Sequence, residues 1–228
     1  MIGQLAKVAA VFAAAIMLVH ATPATATNTA PERHAFNVRA KGADMGKHVF
    51  TIDKQDDGTT IVDIEAKLKL KFVFVTVFRL HHQAQEIWRD GQLLSMRCVT
   101  ERNGETKEMQ AVAKGDHILV QVAEDKMQMS RDMVPTSFTR EDIFSSNETR
   151  QLVLLDTLNG ERKPAELTFQ GRDQIELDGV VRDVRLFTLT ETETGRLGYE
   201  FWIDDSGMAA KIIMHAKDGT DVHYTYDA

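Results

Sequence analysis

His82 stands four residues before Glu86 and six before Trp88. Imidazole and carboxylate are the side chains most often used to move protons near neutral pH. Successive side chains of an extended strand face opposite ways, so residues of equal parity share a face. On a strand, His82, Glu86 and Trp88 therefore look the same way, and the neighbouring His81 looks the other. One reading is an enzyme of unrecognised type with His82 and Glu86 as its acid–base groups beside an indole. The plainer reading is a strand histidine held by an ordinary hydrogen bond.

Other chemistries find less. His34, His48, His117, His215 and His223 form no H-x-H or H-E-x-x-H spacing. His215 and His223 would meet across a "KDGT" turn, two ligands where a zinc site needs three or four. No metal and no cofactor are expected. The chain holds no G-x-S-x-G elbow and no phosphate-cradling glycine loop. Cys98 is the one cysteine, which forbids an intramolecular disulfide, and its alternating surroundings suit a buried, inert thiol.

A second group of residues suits binding rather than bond-making. Phe72 to Leu80 is nearly unbroken apolar sequence, too short to span a bilayer. It is either a buried bend between two strands or an exposed tip, and the exposure of Phe74 and Phe78 separates the two. Lys67, Lys69 and Lys71, with Arg79 beyond, run beside it. Such a stripe is ordinarily a solvated or edge-protecting strand face. Next to an apolar tip it would also suit transient contact with an anionic membrane surface. Met127, Met129 and Met133 precede Pro135; alternating Met127 and Met129 read first as a continued strand that fills core space, and thioethers also suit an adaptable cavity lining. Phe74, Phe78, Trp88, Met127 and Met129 are the expected contacts for an apolar or lipid-like small molecule.

The elements that must position these residues are strands. Turn pairs recur at Asp57-Gly58, Asp90-Gly91, Asn103-Gly104, Asn159-Gly160, Asp178-Gly179 and Asp218-Gly219, as two-residue hairpins require. In "TIVDIEAKLKLKF" Val62, Ile64, Ala66, Leu68, Leu70 and Phe72 alternate with a largely charged set. A slip of one residue would bury those charges, so the register is well specified. The expectation is all-β: a single-domain antiparallel meander of about 12 to 14 strands, closed or half-closed into a barrel, with a sandwich as the alternative. Strands are expected at Gln83–Arg89, Ala165–Gln170 and Asp173–Leu177, among others. Between Asp125 and Arg150 the alternation breaks. A short helical crossing segment is expected near 135–150, capped by Ser137 or Thr139.

Composition bounds the partners. Of 228 residues, 43% are hydrophobic and 27% charged, which is ordinary for a globular domain. The net charge of −7 argues against nucleic acid. Residues 1–26 combine Lys7, an Ala-rich apolar run, Pro23 and Ala24-Thr25-Ala26. That pattern is a secretory signal peptide cleaved near Ala26. It leaves one β-rich domain over 27–228, with the bacterial periplasm as the expected location.

"DMGKHVFTID", "VFRLHHQAQEIWRDGQLLSM", "LLDTLNGERKPAEL" and "LGYEFWIDDSGMAAKIIMHAKDGTDVHYTY" resemble an uncharacterised family of exported bacterial proteins, a domain of unknown function. Its "E-x-W-R-D-G-x-L" corresponds to Glu86, Trp88, Arg89, Asp90, Gly91 and Leu93. Phe78 and Leu80 stand where that family carries tyrosines. The resemblance implies an all-β periplasmic protein and brings no activity. Three functions fit these residues: a non-catalytic binding or carrier protein for an apolar or amphipathic ligand, the His82/Glu86 enzyme, and an envelope scaffold or protein-interaction module.

Overall fold

The computed structural model describes residues 30–72, 75–140, 142–177 and 179–227. Within them the chain forms fifteen strands. The first eight are β1 (Glu32–Ala40), β2 (Ala43–Lys54), β3 (Thr59–Phe72), β4 (Val75–Arg89), β5 (Gln92–Arg102), β6 (Glu105–Lys114), β7 (His117–Val122) and β8 (Asp125–Ser130). A two-residue strand, β9 (Val134–Pro135), follows. The remainder are β10 (Arg150–Leu155), β11 (Arg162–Leu177), β12 (Val180–Glu191), β13 (Leu197–Ile203), β14 (Ala209–His215) and β15 (Asp221–Asp227).

All fifteen belong to one sheet, in the order β8-β7-β6-β5-β4-β3-β2-β1-β15-β14-β13-β12-β11-β10-β9. Two antiparallel meanders are joined where β1 pairs β15, Phe36 opposite Tyr226. Only β9 runs parallel to its neighbour, with Val134 opposite Leu154. The hairpin chemistry is as the sequence requires: Asp90 and Gly91 take φ of 52° and 70° between β4 and β5, values open to Asp and Gly but not to bulky residues. On β3, Val62, Ile64, Ala66 and Leu68 are all buried, and Lys67, Lys69 and Lys71 are exposed.

The sheet curls but does not close, since no pairing joins β8 to β9. Residues 131–133 link these two edges. The concave side is filled by two segments from the C-terminal half. Met133 and Leu155 pack into the cluster formed by Val62, Ala84, Trp88, Leu93, Met96, Cys98, Met109 and Ile118. Leu158, in the β10–β11 turn, packs against Val38, Ala66, Leu68 and Leu80. In the same turn Gly160 sits so close to β6 and β7 that a Cβ there would lie 2.3 Å from Val122 Cγ2 and 3.4 Å from Met109 Sδ.

Three expectations need correction. No helix occupies the described part of 135–150; between β9 and β10 it is turn, bend and irregular chain. Ser137 and Thr139 carry helix-capping hydroxyls, but both point them at Glu86, and Phe138 takes φ of 54°, which ends any right-handed turn. The alternation also runs on through Met127 and Met129 as β8. Finally, β11 is one strand across Gly171, not two. A bulge between Phe169 and Gly171 absorbs the break, and Gly171 takes φ of 135°, a conformation glycine tolerates.

The apolar run Phe72–Leu80 contains no buried bend in its described part. β4 begins at Val75 and proceeds straight through His81 and His82 to Arg89. A bulge between Leu70 and Lys71 leaves Val77 without a partner opposite. Val75 and Val77 are 65% and 52% exposed. Phe78 is half-buried against the Leu68–Leu80 cluster. Phe74 lies outside the described residues, as does the segment expected to be a signal peptide.

Candidate functional site

β4 sends its even-numbered residues inward: Leu80, His82, Ala84, Glu86 and Trp88 are all buried. Glu86 is completely enclosed. Its Oε1 accepts from Ser137 Oγ at 2.5 Å. Its Oε2 accepts from Trp88 Nε1 at 2.9 Å and from Thr139 Oγ1. Burial pushes its carboxyl above the usual range, opposed by those three hydrogen bonds. Phe138, between the two hydroxyl residues, turns the opposite way. Its ring meets Tyr199 at 5.1 Å and Phe201 at 4.9 Å. The crossing segment thus spans the concave side from β4 to β13, and Glu86 is its anchor. With both oxygens occupied and no water-accessible face, this carboxyl holds structure.

His82 belongs to a row that crosses six strands. The registers place Tyr226, Phe36, His48, Ala66, His82 and Thr100 side by side on β15, β1, β2, β3, β4 and β5. His82 Nδ1 lies 2.8 Å from Thr100 Oγ1. Burial lowers its pKa to about 4, partly offset by Asp156 and reinforced by His81. His81 itself faces outward, 3.3 Å from Glu65. His82 and Glu86, four residues apart, are separated by roughly 13 Å along the strand and share no hydrogen-bond partner.

The concave side has two unlike halves. Over β4 to β8 the inward side chains are packed shut by Met133, Leu155 and the crossing segment. Over β1, β2, β13, β14 and β15 many are aromatic and only partly buried, with Phe50 and Ile52 packing against the margin of the closed cluster. His34, His48, Phe50, Ile52, Tyr199, Ile212, Met214, Tyr224 and Tyr226 are each only half-buried, although the same parity buries Phe36 and Val38. The rings touch one another: His48 and Phe50 at 4.4 Å, Phe36 and Phe50 at 5.9 Å, Phe36 and Tyr226 at 5.7 Å. Their surroundings are poorly solvated. Burial raises the Tyr199 phenol and pushes that of Tyr224 up to about 12. Burial, with His82 nearby, lowers His48 to about 3, so its ring is neutral.

Two ring nitrogens in this half have no hydrogen-bond partner, His34 Nε2 and His48 Nε2. His34 Nδ1 has Tyr226 Oη at 3.3 Å, and its Nε2 has Glu32 Oε2 at 3.6 Å, outside hydrogen-bond reach. His48 Nε2 has neither. Buried polar atoms are normally paired, so both nitrogens can take a polar group from elsewhere, and His48 Nε2, with no carboxylate near it, is the less compensated of the two among the described residues. Among the described residues no group of three or more His, Cys, Asp or Glu is arranged to hold a metal ion.

Of the residues the sequence nominated for a ligand, Trp88 and Met129 are buried in the closed half and Met127 packs against its margin. Phe78 sits half-buried at the far end, its ring 5.6 Å from the Arg102 guanidinium. Among these four, only Phe78 approaches the aromatic half, packing on the same cluster as Met214 and Tyr224. The residues that line it carry a signal in the sequence: "HAF", "HVF" and "YTY" each place two aromatic rings at the same parity, His34 with Phe36, His48 with Phe50 and Tyr224 with Tyr226. Cys98 is buried, and desolvation raises its thiol well above the ordinary range.

The fold is similar to that of a β-barrel-like protein of domain-of-unknown-function family DUF1849 from Brucella abortus. The TM-score is 0.64 at 12% identity, covering 87% of this chain and 96% of that one. A DUF1089 family protein from Pseudomonas aeruginosa covers 91% of this chain and 95% of its own at 9% identity, with a TM-score of 0.43. A LolA superfamily protein from Nitrosomonas europaea covers 87% and 84% at 11% identity, with a TM-score of 0.24. The last two are too distant to bear on the argument. No curated protein matches the sequence. A family model matches residues 36–227, and the chain belongs to DUF6134, a family of domains of unknown function.

Proposed function

We propose that this is a non-catalytic binding or carrier protein of the bacterial periplasm, which holds an amphipathic, largely apolar molecule against the aromatic half of its concave face. One observation carries the reading: His34, His48, Phe50, Tyr199, Tyr224 and Tyr226 keep part of their inward rings exposed, while most inward side chains of β4 to β8 are buried in one cluster. An apolar body laid on that wall would displace water from Phe50, Tyr199, Tyr224 and Ile212. Its polar group would pair with His48 Nε2, an atom whose unpaired burial costs about 1–3 kcal/mol. The neutral imidazole suits an uncharged hydroxyl or carbonyl better than a strong anion. The N-terminal residues 1–26, read as a signal peptide, support the location.

Native mass spectrometry of the protein taken from its own cell envelope tests this. The expected result is a bound lipid-like mass that is lost in Phe50→Asp and weakened in His48→Leu. A protein that emerges unliganded, and that does not take up a single-chain amphiphile such as lysophosphatidylcholine, overturns the reading.

A further inference from the structure

The β3–β4 hairpin outgrows its neighbours. β2 stops pairing with β3 at Gly46–Leu68, and β5 stops pairing with β4 at Leu80–Arg102. Beyond that level Asn103 bonds the backbone of Arg79 and the Arg102 guanidinium lies over the Phe78 ring. From Lys69 to Phe72 and from Val75 to Arg79 the two strands pair only with each other.

This ribbon has a graded surface. Val75 stands at the last described pair, 65% exposed, and the bulged Val77 is 52% exposed. Lys71 lies opposite Thr76, one step back, and Lys69 lies opposite Arg79 further along. The cations therefore sit about 3 and 10 Å behind the tip pair. Lys69 and Arg79 face each other with like charge, an arrangement that disfavours pairing. Among the described residues no acidic side chain forms an ion pair with Lys69, Lys71 or Arg79; the nearest carboxylate in sequence, Glu65, is taken by Lys67 and His81. All this occurs on a chain whose net charge is −7.

Edge protection by lysine accounts for the cations but not for valines left at the end. The β11–β12 hairpin supplies the contrast. Its Val180 and Val181 are equally exposed, but they are flanked by both signs of charge, with Glu176, Arg182 and Asp183. That tip carries no field of one sign. The β3–β4 tip does.

We infer that the β3–β4 ribbon docks on an anionic lipid surface. Val75 and Val77 enter the headgroup–acyl boundary, which extends about 5–10 Å in depth, and Lys69, Lys71 and Arg79 meet lipid phosphates at the level behind them. An acidic protein surface would match the charges but not the step from apolar end to cationic shaft. Docking of this kind requires no ligand on the concave face, because Val75, Val77 and the three cations are not part of its buried clusters.

Flotation of the full-length chain with vesicles of phosphatidylglycerol and phosphatidylcholine tests it, against vesicles of phosphatidylcholine alone. Binding is expected only with the anionic lipid and is expected to fall as salt is raised. Lys69→Glu with Lys71→Glu should weaken it by more than tenfold, at roughly fivefold for each basic charge removed. Val75→Asp with Val77→Asp should weaken it at low salt as well, and circular dichroism confirms that each variant keeps its strands. Binding equal on both vesicle types, or unchanged in the lysine variant, places any contact elsewhere, the apolar N-terminal segment included, and overturns the inference. So does the absence of binding to either vesicle. No ligand is added, so these outcomes are separate from those of the mass-spectrometric test.

Discussion

Ser137 donates its hydroxyl to Glu86 Oε1 at 2.5 Å, across 51 residues of sequence. Thr139 and Trp88 satisfy the other oxygen. This carboxyl fastens the segment that links the two edges of the sheet to the middle of the N-terminal meander. Removing it in Glu86→Ala leaves three donors without an acceptor. We expect a loss of roughly 1–3 kcal/mol in urea unfolding, together with faster proteolysis between 131 and 149. An unchanged midpoint and cleavage rate would show that the crossing segment is held by its apolar contacts alone.

The same residue gives a pH dependence. Burial raises the folded-state pKa of Glu86 above its ordinary value of 4.5, so the folded protein holds that proton more tightly than the unfolded chain. Its contribution is fully present below 4.5 and is lost as pH rises through the raised value. Glu86→Gln, which keeps the size and one acceptor oxygen, should remove this loss. Stability followed from pH 4.5 upward should therefore decline less steeply in Glu86→Gln than in the parent.

The histidines act in the opposite sense. Burial lowers His48 to about 3 and His82 to about 4 from 6.5, so the unfolded chain takes up protons first. Stability from these two groups is complete above pH 6.5 and falls as pH drops from 6.5 toward 4, with a limiting slope of about 1.4 kcal/mol per pH unit for each. His48→Phe should halve the acid slope and leave the neutral-pH stability within about 1 kcal/mol. An identical acid slope in parent and variant would mean that His48 is protonated in the folded protein.

Gly160 tests the packing of the β10–β11 turn against the opposite meander. Its φ is 78°, and a Cβ would meet Val122 Cγ2 at 2.3 Å. Gly160→Ala should cost about 1–3 kcal/mol. Adding Val122→Ala should recover part of it, a coupling that two independent sites would not show. Strict additivity would separate the turn from β7.

Much of the architecture is written in period-two alternation. The pattern from Val62 to Leu68 is enough to show which face is buried, and the parity of His82, Glu86 and Trp88 places all three inside. What local pattern does not contain is the partner. Ser137 and Thr139 read equally well as helix caps and as donors to a distant carboxyl, because the hydroxyl is the same in both. Gly171 reads as a strand break, but a bulge lets the ladder continue. The ligand candidates lie elsewhere than the open wall. Apolar mass drew attention to Trp88 and Met129, yet bulky side chains on a curled sheet fill its closed half. The open wall is marked by aromatic residues two apart on strands that become neighbours only when Phe36 meets Tyr226.

That meeting has a kinetic consequence. Every other pairing in the sheet joins strands consecutive in the chain, and the antiparallel hairpins among them form in microseconds. β1 against β15, with Ala35 opposite Asp227, must bring together residues 192 positions apart in the chain. The entropy of closing that loop is met before the contact returns anything. Each meander can zip by itself, but the seam that unites them waits for the final strand. Folding should therefore show a fast phase of strand formation and a slower phase of joining. A chain lacking β15 would retain hairpins without the complete row that carries His48.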